Sequence, residues 1–404
     1  MDTVLTHTTA FLGVAILVAI IARRVHLPYT VGLVVAGVGL AATRLETGAM
    51  LTHDFIFEVI LPPLLFEAAL SIHWRELRRD MLPIVVLSTF GVCISAVVVA
   101  AGLMTFLAWP AAAAIVFGVL IGATDPIAVL AMFKDTGIGG RVRLLVESES
   151  LFNDGVAAVL FVLVVTWVQA TDTAQLTTTT VTRTLVLMTG GGILVGIASG
   201  GAAIALARHT SDHLVETALT AVAAYGSFLL AENLHFSGVL ATVAAGLLMG
   251  NLGVLREDED QNLFSSGGRS LVIAFWEFAA FIANSLVFLL IGLRVAAMPF
   301  TGIGAKALLI AVGLVLMGRA LTVYPLCLLF QHSAWAIPMR DQHVLWWGGL
   351  RGALALALTL ALSPSFPFYN EILITAFGVV AFSVVVQGLT MPLVLRKLNF
   401  LPNE

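Results

Sequence analysis

Long uninterrupted apolar runs constrain the fold of this chain more than any other feature. Most are close to the roughly 20 residues that an α-helix needs to cross the hydrocarbon core of a bilayer. The runs are continuous and do not alternate with polar residues, which favours helices over a β-barrel. Only 11% of the 404 residues are charged and 59% are hydrophobic, whereas soluble domains carry about 25% charged residues. The sequence therefore predicts an all-α integral membrane protein.

Polar breaks between the runs predict about thirteen transmembrane helices. The candidate spans cover residues 9–22, 29–43, 55–71, 82–107, 110–133, 145–169, 183–207, 214–231, 236–254, 270–293, 303–330, 342–363 and 370–395. The segments between them are short and leave no room for a soluble domain. We therefore expect a single transmembrane domain over residues 1–404.

The distribution of basic residues predicts the orientation of the chain in the membrane. Fourteen of the twenty Lys and Arg residues fall in segments on one side of the predicted spans, and only four fall on the other side. Lys and Arg are enriched in cytoplasmic loops. We expect a multi-pass protein of the cell (inner) membrane, with the N-terminus outside and the C-terminus in the cytoplasm.

Four of the spans carry unusual polar residues at a similar depth. Thr124 and Asp125 lie in the fifth span, Asp154 in the sixth and Arg351 in the twelfth, and Glu67 lies slightly nearer the cytoplasm in the third. A charged group near the middle of a bilayer costs several kcal/mol, so it is rarely kept without a partner or a function. The shared depth predicts that these residues form one site.

The sixth span shows how such a site could be arranged on a helix. Residues three or four apart lie on the same face of a helix, so Glu147, Ser150 and Asp154 form one polar stripe. Glu149 and Asn153 form the adjoining stripe. This continuous polar edge predicts a site that handles a small cation and a proton in turn.

The fifth and twelfth spans are both predicted to be interrupted. Asp125 and Pro126 follow Gly122 in the fifth span, and proline removes a backbone donor and disfavours helix in the residue before it. A new half-helix should begin near Pro126, although a simple proline kink is the alternative. The segment Gly348–Gly352, with glycines around Arg351, predicts the second interruption. Broken helices are typical of substrate sites in secondary transporters.

The spacing of the two interruptions predicts an internal repeat. They are seven spans apart, so they run in opposite directions across the membrane, as in an inverted-topology repeat. We expect a first repeat over residues 9–169, a connecting span over 183–207 and a second repeat over 214–395.

The buried arginines should have carboxylate partners. For Arg351 we expect Glu149 first, and Arg319 paired with Asp125 forms the second expected pair. Such pairs would compensate the charges left by the helix breaks.

Two other glutamates allow two interpretations each. Glu67 follows a double proline and is either a carboxylate on the cation path or a buried, protonated side chain bonded to a backbone carbonyl. Glu147 either attracts cations into an inner funnel or forms an ordinary interfacial pair with Arg141 or Arg143.

Five motifs resemble the NhaP-type sodium/proton antiporters, the bacterial and archaeal relatives of the animal sodium/proton exchangers. They are A-T-D-P-I-A-V-L (123–130), E-S-L-F-N-D-G (149–155), H-F-S-G-V-L-A (235–241), L-P-P-L-L-F-E (61–67) and G-G-L-R-G-A-L (348–354). The resemblance implies an NhaA-like fold in which the discontinuous fifth and twelfth spans cross near mid-membrane. It also implies a homodimer in which a mobile core domain moves against a dimerisation domain.

The resemblance also implies roles for individual residues. Asp154 is similar to the aspartate that binds both cation and proton in this family, and Asn153 to its companion. Thr124, Ser150 and Glu67 fall where the other Na⁺ ligands lie. Glu149 and Arg351 fall on a structural ion pair.

These patterns together predict a transporter and not an enzyme. We expect one-for-one, electroneutral exchange of Na⁺ or Li⁺ for H⁺ by competition for Asp154 with alternating access, with K⁺/H⁺ exchange by the same fold as the alternative. We expect no cofactor beyond the transported ions and no nucleic-acid partner; membrane lipid is the expected surrounding. Two remote alternatives are a cation channel and an intramembrane aspartyl protease that would use Asp125 and Asp154.

Overall fold

The computed structural model describes residues 2–24, 28–41, 52–169, 178–255 and 264–400. Within these ranges the chain is helical and contains no strand, only one isolated backbone bridge. The first eight helices are α1 (Asp2–Arg24), α2 (Tyr29–Ala41), α3 (Leu61–Ser71), α4 (Trp74–Leu107), α5 (Ala111–Leu120), α6 (Ile127–Thr136), α7 (Arg141–Gln169) and α8 (Thr178–Ala207). The other eight are α9 (His213–Asn233), α10 (Gly238–Met249), α11 (Ser266–Ala297), α12 (Ala305–Leu329), α13 (Met339–Gly348), α14 (Ala353–Ala361), α15 (Tyr369–Phe382) and α16 (Gly388–Lys397). Wider π-type turns occur at Phe55–Ile60, Gly250–Val254 and Ser383–Gln387, and a 3₁₀ turn at Phe300–Gly302.

The helices agree with the prediction of an all-α membrane protein. Seven helical segments in the described ranges are long and apolar enough to cross a membrane, judged by length and composition: Trp74–Leu107, Arg141–Gln169, Thr179–Ala207, His213–Asn233, Gly267–Ala297, Ala305–Leu329 and Tyr369–Lys397. The remaining apolar segments are shorter or broken. The helical segments follow the predicted spans in order, while the count of thirteen and the inverted repeat stay predictions.

Both predicted interruptions are confirmed. The fifth span consists of two half-helices, because α5 ends at Leu120 and α6 begins at Ile127. The twelfth span is divided in the same way, since α13 ends at Gly348 and α14 begins at Ala353.

One helix begins earlier than the hydropathy pattern predicts. The fourth span was expected from residue 82, but α4 begins at Trp74 and includes a polar turn with a kink at Asp80 (φ −106°, ψ 15°). Pro83 explains the kink, because proline donates no backbone hydrogen bond and its ring crowds the preceding turn. The polar segment before Pro83 is nonetheless helical. The length of the apolar run could not predict this, because it measures only the apolar part of the helix.

The chain divides into two compact units. The first consists of Met1–Ile56, Leu82–Ser150 and Asn284–Glu404, and the second of Phe57–Met81 and Leu151–Ala283. This partition differs from the two predicted repeats, because the second unit takes segments from both of them. Both interrupted spans belong to the first unit.

The second unit packs around small residues and a buried tryptophan. Gly246 of α10 lies against the Phe66 backbone of α3, where a larger side chain would crowd the neighbouring helix. Trp276 is 1% exposed, its ring lies 4.5 Å from that of Phe66, and its Nε1–H donates to Thr220 Oγ1 at 2.8 Å. These contacts hold α3, α9, α10 and the first part of α11 together.

Candidate functional site

The two helix breaks meet at the backbone. The Asp125 N–H donates to the Leu350 carbonyl at 2.8 Å, which forms the antiparallel bridge between the two unwound segments. A backbone group that leaves a helix needs a new hydrogen-bond partner when it is buried. Here the first break supplies the N–H donor and the second break supplies the carbonyl acceptor. The expected contact between the interrupted spans is therefore present.

Asp125 lies between the beginnings of two half-helices. Its Oδ1 accepts from the Ile127 N–H at 3.0 Å, at the start of α6. A methyl group at Gly352, which precedes α14, would overlap the same carboxylate. Helix N-termini carry partial positive charge, so one carboxylate compensates α6 and α14 together. The start of α6 at Ile127 agrees with the half-helix predicted to begin near Pro126.

Arg351 compensates the opposite kind of helix end. Its Nη1 donates to the carbonyls of Gly122 at 2.7 Å and Ala123 at 2.9 Å, just beyond the end of α5. Its side chain is 1% exposed. The carbonyls at a helix C-terminus lack helical donors, and the guanidinium supplies them.

Glu149 forms an ion pair with Arg319, which corrects the expected pairing of Arg319 with Asp125, while the expected pairing of Glu149 with Arg351 stays a prediction. Arg319 Nη1 and Nη2 each lie 2.7 Å from one oxygen of the Glu149 carboxylate. Both side chains are buried, at 5% and 1% exposure. The physical reason is that Glu149 binds both terminal nitrogens of Arg319, while the first amide of α6 holds Asp125.

Arg319 also contacts the second break. Its Nη2 donates to the Leu345 carbonyl at 3.0 Å, in the last turn of α13. A Cβ atom at Gly349 would lie 2.6 Å from its Nε. Arg319 therefore places a cation at the negative C-terminal end of α13. Arg351 does the same at the end of α5.

Two of the predicted ligand residues belong to the first unit, Thr124 of the fifth span and Ser150 of the sixth, and these two are in contact. Thr124 and Ser150 are 1% and 2% exposed, and their hydroxyl oxygens lie 3.0 Å apart. α7 is unbroken across the predicted polar stripe, so Asp154 lies one turn beyond Ser150 on the same face. Asn153 is buried and Asp154 is half-buried.

The two ambiguous glutamates have different surroundings. Glu67 is half-buried on α3, which has Pro62 in its first turn; its part in a cation path stays a prediction. Glu147 Oε2 lies 3.7 Å from Nε of Arg143, one turn earlier on α7. Of the partners expected for Glu147, Arg143 is thus confirmed.

Sequence reasoning missed a polar group on the segment between α15 and α16. The backbone N–H of Arg351 donates to Ser383 Oγ at 3.1 Å, and Ser383 Oγ donates in turn to Gln387. Gln387 Nε2 donates to the Trp347 carbonyl at 2.9 Å. The signal was present, because a serine and a glutamine four residues apart in an apolar run lie on one face of a helix.

Two interrupted helices that meet at their breaks, with buried charges matched to the helix ends, define a class of membrane protein. This is the architecture of secondary transporters, in which unwound backbone and half-helix ends surround the ion or substrate site.

Comparison with known proteins identifies the family. The family described as "Sodium/hydrogen exchanger, transmembrane" matches residues 12–397. The chain is 39% identical over 395 residues to the Na⁺/H⁺ antiporter ApNhaP of Aphanothece halophytica, covering 96% of this chain and 73% of that protein. It is 32% identical to the Na⁺/H⁺ antiporter NhaH of Halobacillus aidingensis, with 96% of each chain covered. The chain therefore belongs to the sodium/hydrogen exchanger family.

A solved structure supports the fold independently. The sodium proton antiporter MjNhaP1 from Methanocaldococcus jannaschii superposes with a TM-score of 0.76 over 98% of both chains, at 20% sequence identity. At this identity the likeness concerns the fold alone, and it agrees with the resemblance seen in the motifs.

Proposed function

We propose that this chain exchanges Na⁺ for H⁺ across the cytoplasmic membrane. Family membership supports this function, as do relatives that are named Na⁺/H⁺ antiporters. The observation that carries it is the Thr124–Ser150 hydroxyl pair at 3.0 Å, since Ser150 lies one turn before Asp154 on α7. Hydroxyl and carboxylate oxygens are ligands that suit a hard cation.

The mechanism is competition for one carboxylate. Asp154 holds either a proton or a partly dehydrated Na⁺ that is also bound by oxygens of Thr124 and Ser150, with Glu67 as a further ligand. Asn153 supports the site as a neutral amide. A proton and a cation cannot occupy the same carboxylate together, so binding of one releases the other.

The cost of burying charge couples the two fluxes. An empty, ionised Asp154 carried through the membrane interior would be an uncompensated anion, at a cost of several kcal/mol. Only the proton-loaded and cation-loaded forms therefore change between inward-facing and outward-facing states. Alternating access of this kind gives exchange without leak.

The ion pair of Glu149 bears on the stoichiometry. Both of its oxygens are held by Arg319, and Asn153 carries no charge, so Asp154 alone exchanges its proton. We therefore propose one-for-one, electroneutral exchange. Rates in proteoliposomes should not change when a potassium diffusion potential is imposed with valinomycin, and a potential-dependent rate would contradict this stoichiometry.

The proposal extends to assembly and placement. We propose a homodimer in the cell membrane, with the N-terminus outside and the C-terminus in the cytoplasm. The family resemblance supports the dimer, and the excess of Lys and Arg on one side of the spans supports the orientation.

The test is cation-driven proton movement in proteoliposomes that contain a pH-sensitive dye. Na⁺ should dissipate a preformed pH gradient in a saturable manner, and Asp154→Asn should abolish the response. Glu76→Gln is the matched control, because it neutralises an exposed carboxylate on α4 and should keep the activity of the unmodified chain.

The same assay separates the alternatives. A response to K⁺ as strong as that to Na⁺ would favour K⁺/H⁺ exchange. Non-saturable cation flux without proton movement would favour a channel. Full exchange by Asp154→Asn would overturn the proposed site.

A further inference from the structure

A cavity between α13 and α16 lies outside the ion site. It has a volume of about 300 Å³ and is lined by His343, Trp346, Trp347, Val394, Lys397 and Leu398. All of these residues belong to the first unit. The spacings of three and four residues on both helices mean that one face of each helix forms the wall.

The two tryptophans present apolar surface to this cavity. Trp346 Nε1–H donates to the Leu316 carbonyl at 3.1 Å, and Trp347 Nε1–H donates to Thr390 Oγ1 at 3.0 Å. Their polar atoms are thus used elsewhere, and the rings are fixed in position. With Val394 and Leu398 they form an apolar groove.

The lining surface of the groove is apolar, and basic side chains border it. Lys397 is exposed and lines the cavity, and Arg396 precedes it in the last turn of α16. His343 Nδ1 lies 2.8 Å from the Tyr324 hydroxyl, which fixes the imidazole ring at the wall of the groove. Arg340, at the start of α13, lies over the Phe400 ring at 4.2 Å.

The position along the helices matches the layers of a lipid leaflet. α13 begins at Met339, so His343 lies about 6 Å and Trp347 about 12 Å along its axis. This helix end belongs to the side that the basic residues assign to the cytoplasm. The charged rim therefore lies at headgroup depth, and the tryptophans lie at the level of the upper acyl chain.

We propose that this groove binds an anionic phospholipid. Its phosphate contacts the exposed Lys397 ammonium, and one acyl chain lies along Trp346, Trp347 and Leu398. Basic pockets between membrane helices on the cytoplasmic side are known to suit acidic headgroups. Bound lipid would contact α13, the half-helix that ends at the second break, so the membrane composition could influence the interrupted twelfth span. The inference does not depend on which ions are exchanged.

Native mass spectrometry of the delipidated, detergent-purified full chain tests the proposal. Phosphatidylglycerol should bind at one site per chain, and phosphatidylcholine should bind at least fivefold more weakly. Lys397→Gln should weaken phosphatidylglycerol binding about fivefold, the effect of one basic residue near an acidic lipid surface. Lys397→Arg should bind as the unmodified chain does. Arg208→Gln is the matched control, because Arg208 is an exposed basic residue beyond the end of α8 and does not line the groove.

A second variant tests the apolar part of the site. Val394→Trp fills the groove and should abolish specific phosphatidylglycerol binding, while the melting temperature shows whether the fold is intact. If this variant is unfolded, the Lys397 series decides alone. Equal binding of the two lipids, a Lys397→Gln affinity within twofold of the unmodified chain, or displacement of the lipid by millimolar inorganic phosphate would each overturn the proposal.

Discussion

Single buried charges in this protein are each matched to a specific group of opposite polarity. Glu149 and Arg319 neutralise one another through two hydrogen bonds of 2.7 Å. Arg351 binds two backbone carbonyls, and Asp125 accepts from the first amide of α6. Removing one partner from such a pair leaves a buried charge uncompensated, which costs more than replacing both partners by apolar residues.

A double-mutant cycle on Glu149 tests the assignment of its partner. Arg319→Met alone and Glu149→Met alone should each destabilise the fold by about 3–5 kcal/mol. The double variant Glu149→Met/Arg319→Met should be much more stable than the sum of the two effects predicts. The measurement is the free energy of unfolding in detergent.

The matching control replaces the partner that the sequence suggested first. In Glu149→Met/Arg351→Met the coupling energy should be smaller than in the Arg319 cycle, because Arg351 Nη1 donates to two backbone carbonyls whereas Arg319 holds both oxygens of Glu149. Coupling in this cycle and additivity in the Arg319 cycle would show that the ion pair is assigned wrongly.

Two serines of α7 allow a test of the hydroxyl ligands. Ser150→Ala removes the hydroxyl that contacts Thr124 at 3.0 Å, so the KM for Na⁺ should rise about fivefold, the effect of losing about 1 kcal/mol of interaction. Ser148→Ala is the control, since the Ser148 hydroxyl is buried without a hydrogen-bond partner among the described residues. Proton exchange rates at varied Na⁺ give both values; an equal KM for the two variants would remove Ser150 from the site.

At the scale of helices, the four half-helices form a mutually compensated cluster. The Asp125 carboxylate caps the start of α6 and adjoins the start of α14, while Arg351 and Arg319 lie at the ends of α5 and α13. Each helix end carries about half an elementary charge, and each is matched by one ionised side chain. The broken spans are therefore stable without the continuous helical hydrogen bonds that a membrane normally requires.

Gly352 should be essential to this cluster. A Cβ atom there would overlap the Asp125 carboxylate, so Gly352→Ala should displace the carboxylate from the two helix N-termini. We expect a loss of at least about 2 kcal/mol in unfolding free energy, within the range for overpacking, and a loss of most exchange activity.

The control for this substitution is another glycine of the first unit. Around Gly313 on α12 no described atom would lie within 4 Å of an added Cβ, and alanine favours a helix interior over glycine. Gly313→Ala should be as stable as the unmodified chain or slightly more so. Melting temperatures of the two variants compare them directly, and equal values would contradict the crowding at position 352.

At the scale of the whole molecule, charge distribution predicts the orientation and chain connectivity links the two units. Four helical segments pass from one unit to the other: Phe55–Ile60, α4, α7 and α11. α7 carries both Ser150, the last residue of its first-unit segment, and Asp154, one turn later, so these two proposed ligands lie on one continuous helix.

Labelling of single cysteines tests the orientation. In a chain with Cys93 and Cys327 replaced by alanine, Arg208→Cys should react with a membrane-impermeant maleimide only from the cytoplasmic side. Lys306→Cys should react only from the outside, and both positions are exposed. Spheroplasts and inverted vesicles provide the two sides, and the reverse pattern would invert the proposed topology.

The sequence by itself determined the class of fold and the places where it breaks. Apolar run length specified membrane helices, and the effects of Pro126 and of the glycines around Arg351 are local, so the interruptions could be located from neighbouring residues alone. The stripe of Ser150 and Asp154 on α7 was predictable for the same reason, because helical spacing fixes it.

The tertiary structure alone decided which charges meet. Glu149 and Arg319 are 170 residues apart in the chain, and nothing in local pattern distinguishes Arg319 from Arg351 as a partner. The choice depends on which helix packs beside α7 and on which carbonyls the breaks leave without donors. The groove between α13 and α16 likewise exists only because two distant helix faces pack together, since side chains define a binding surface only once their helices are adjacent.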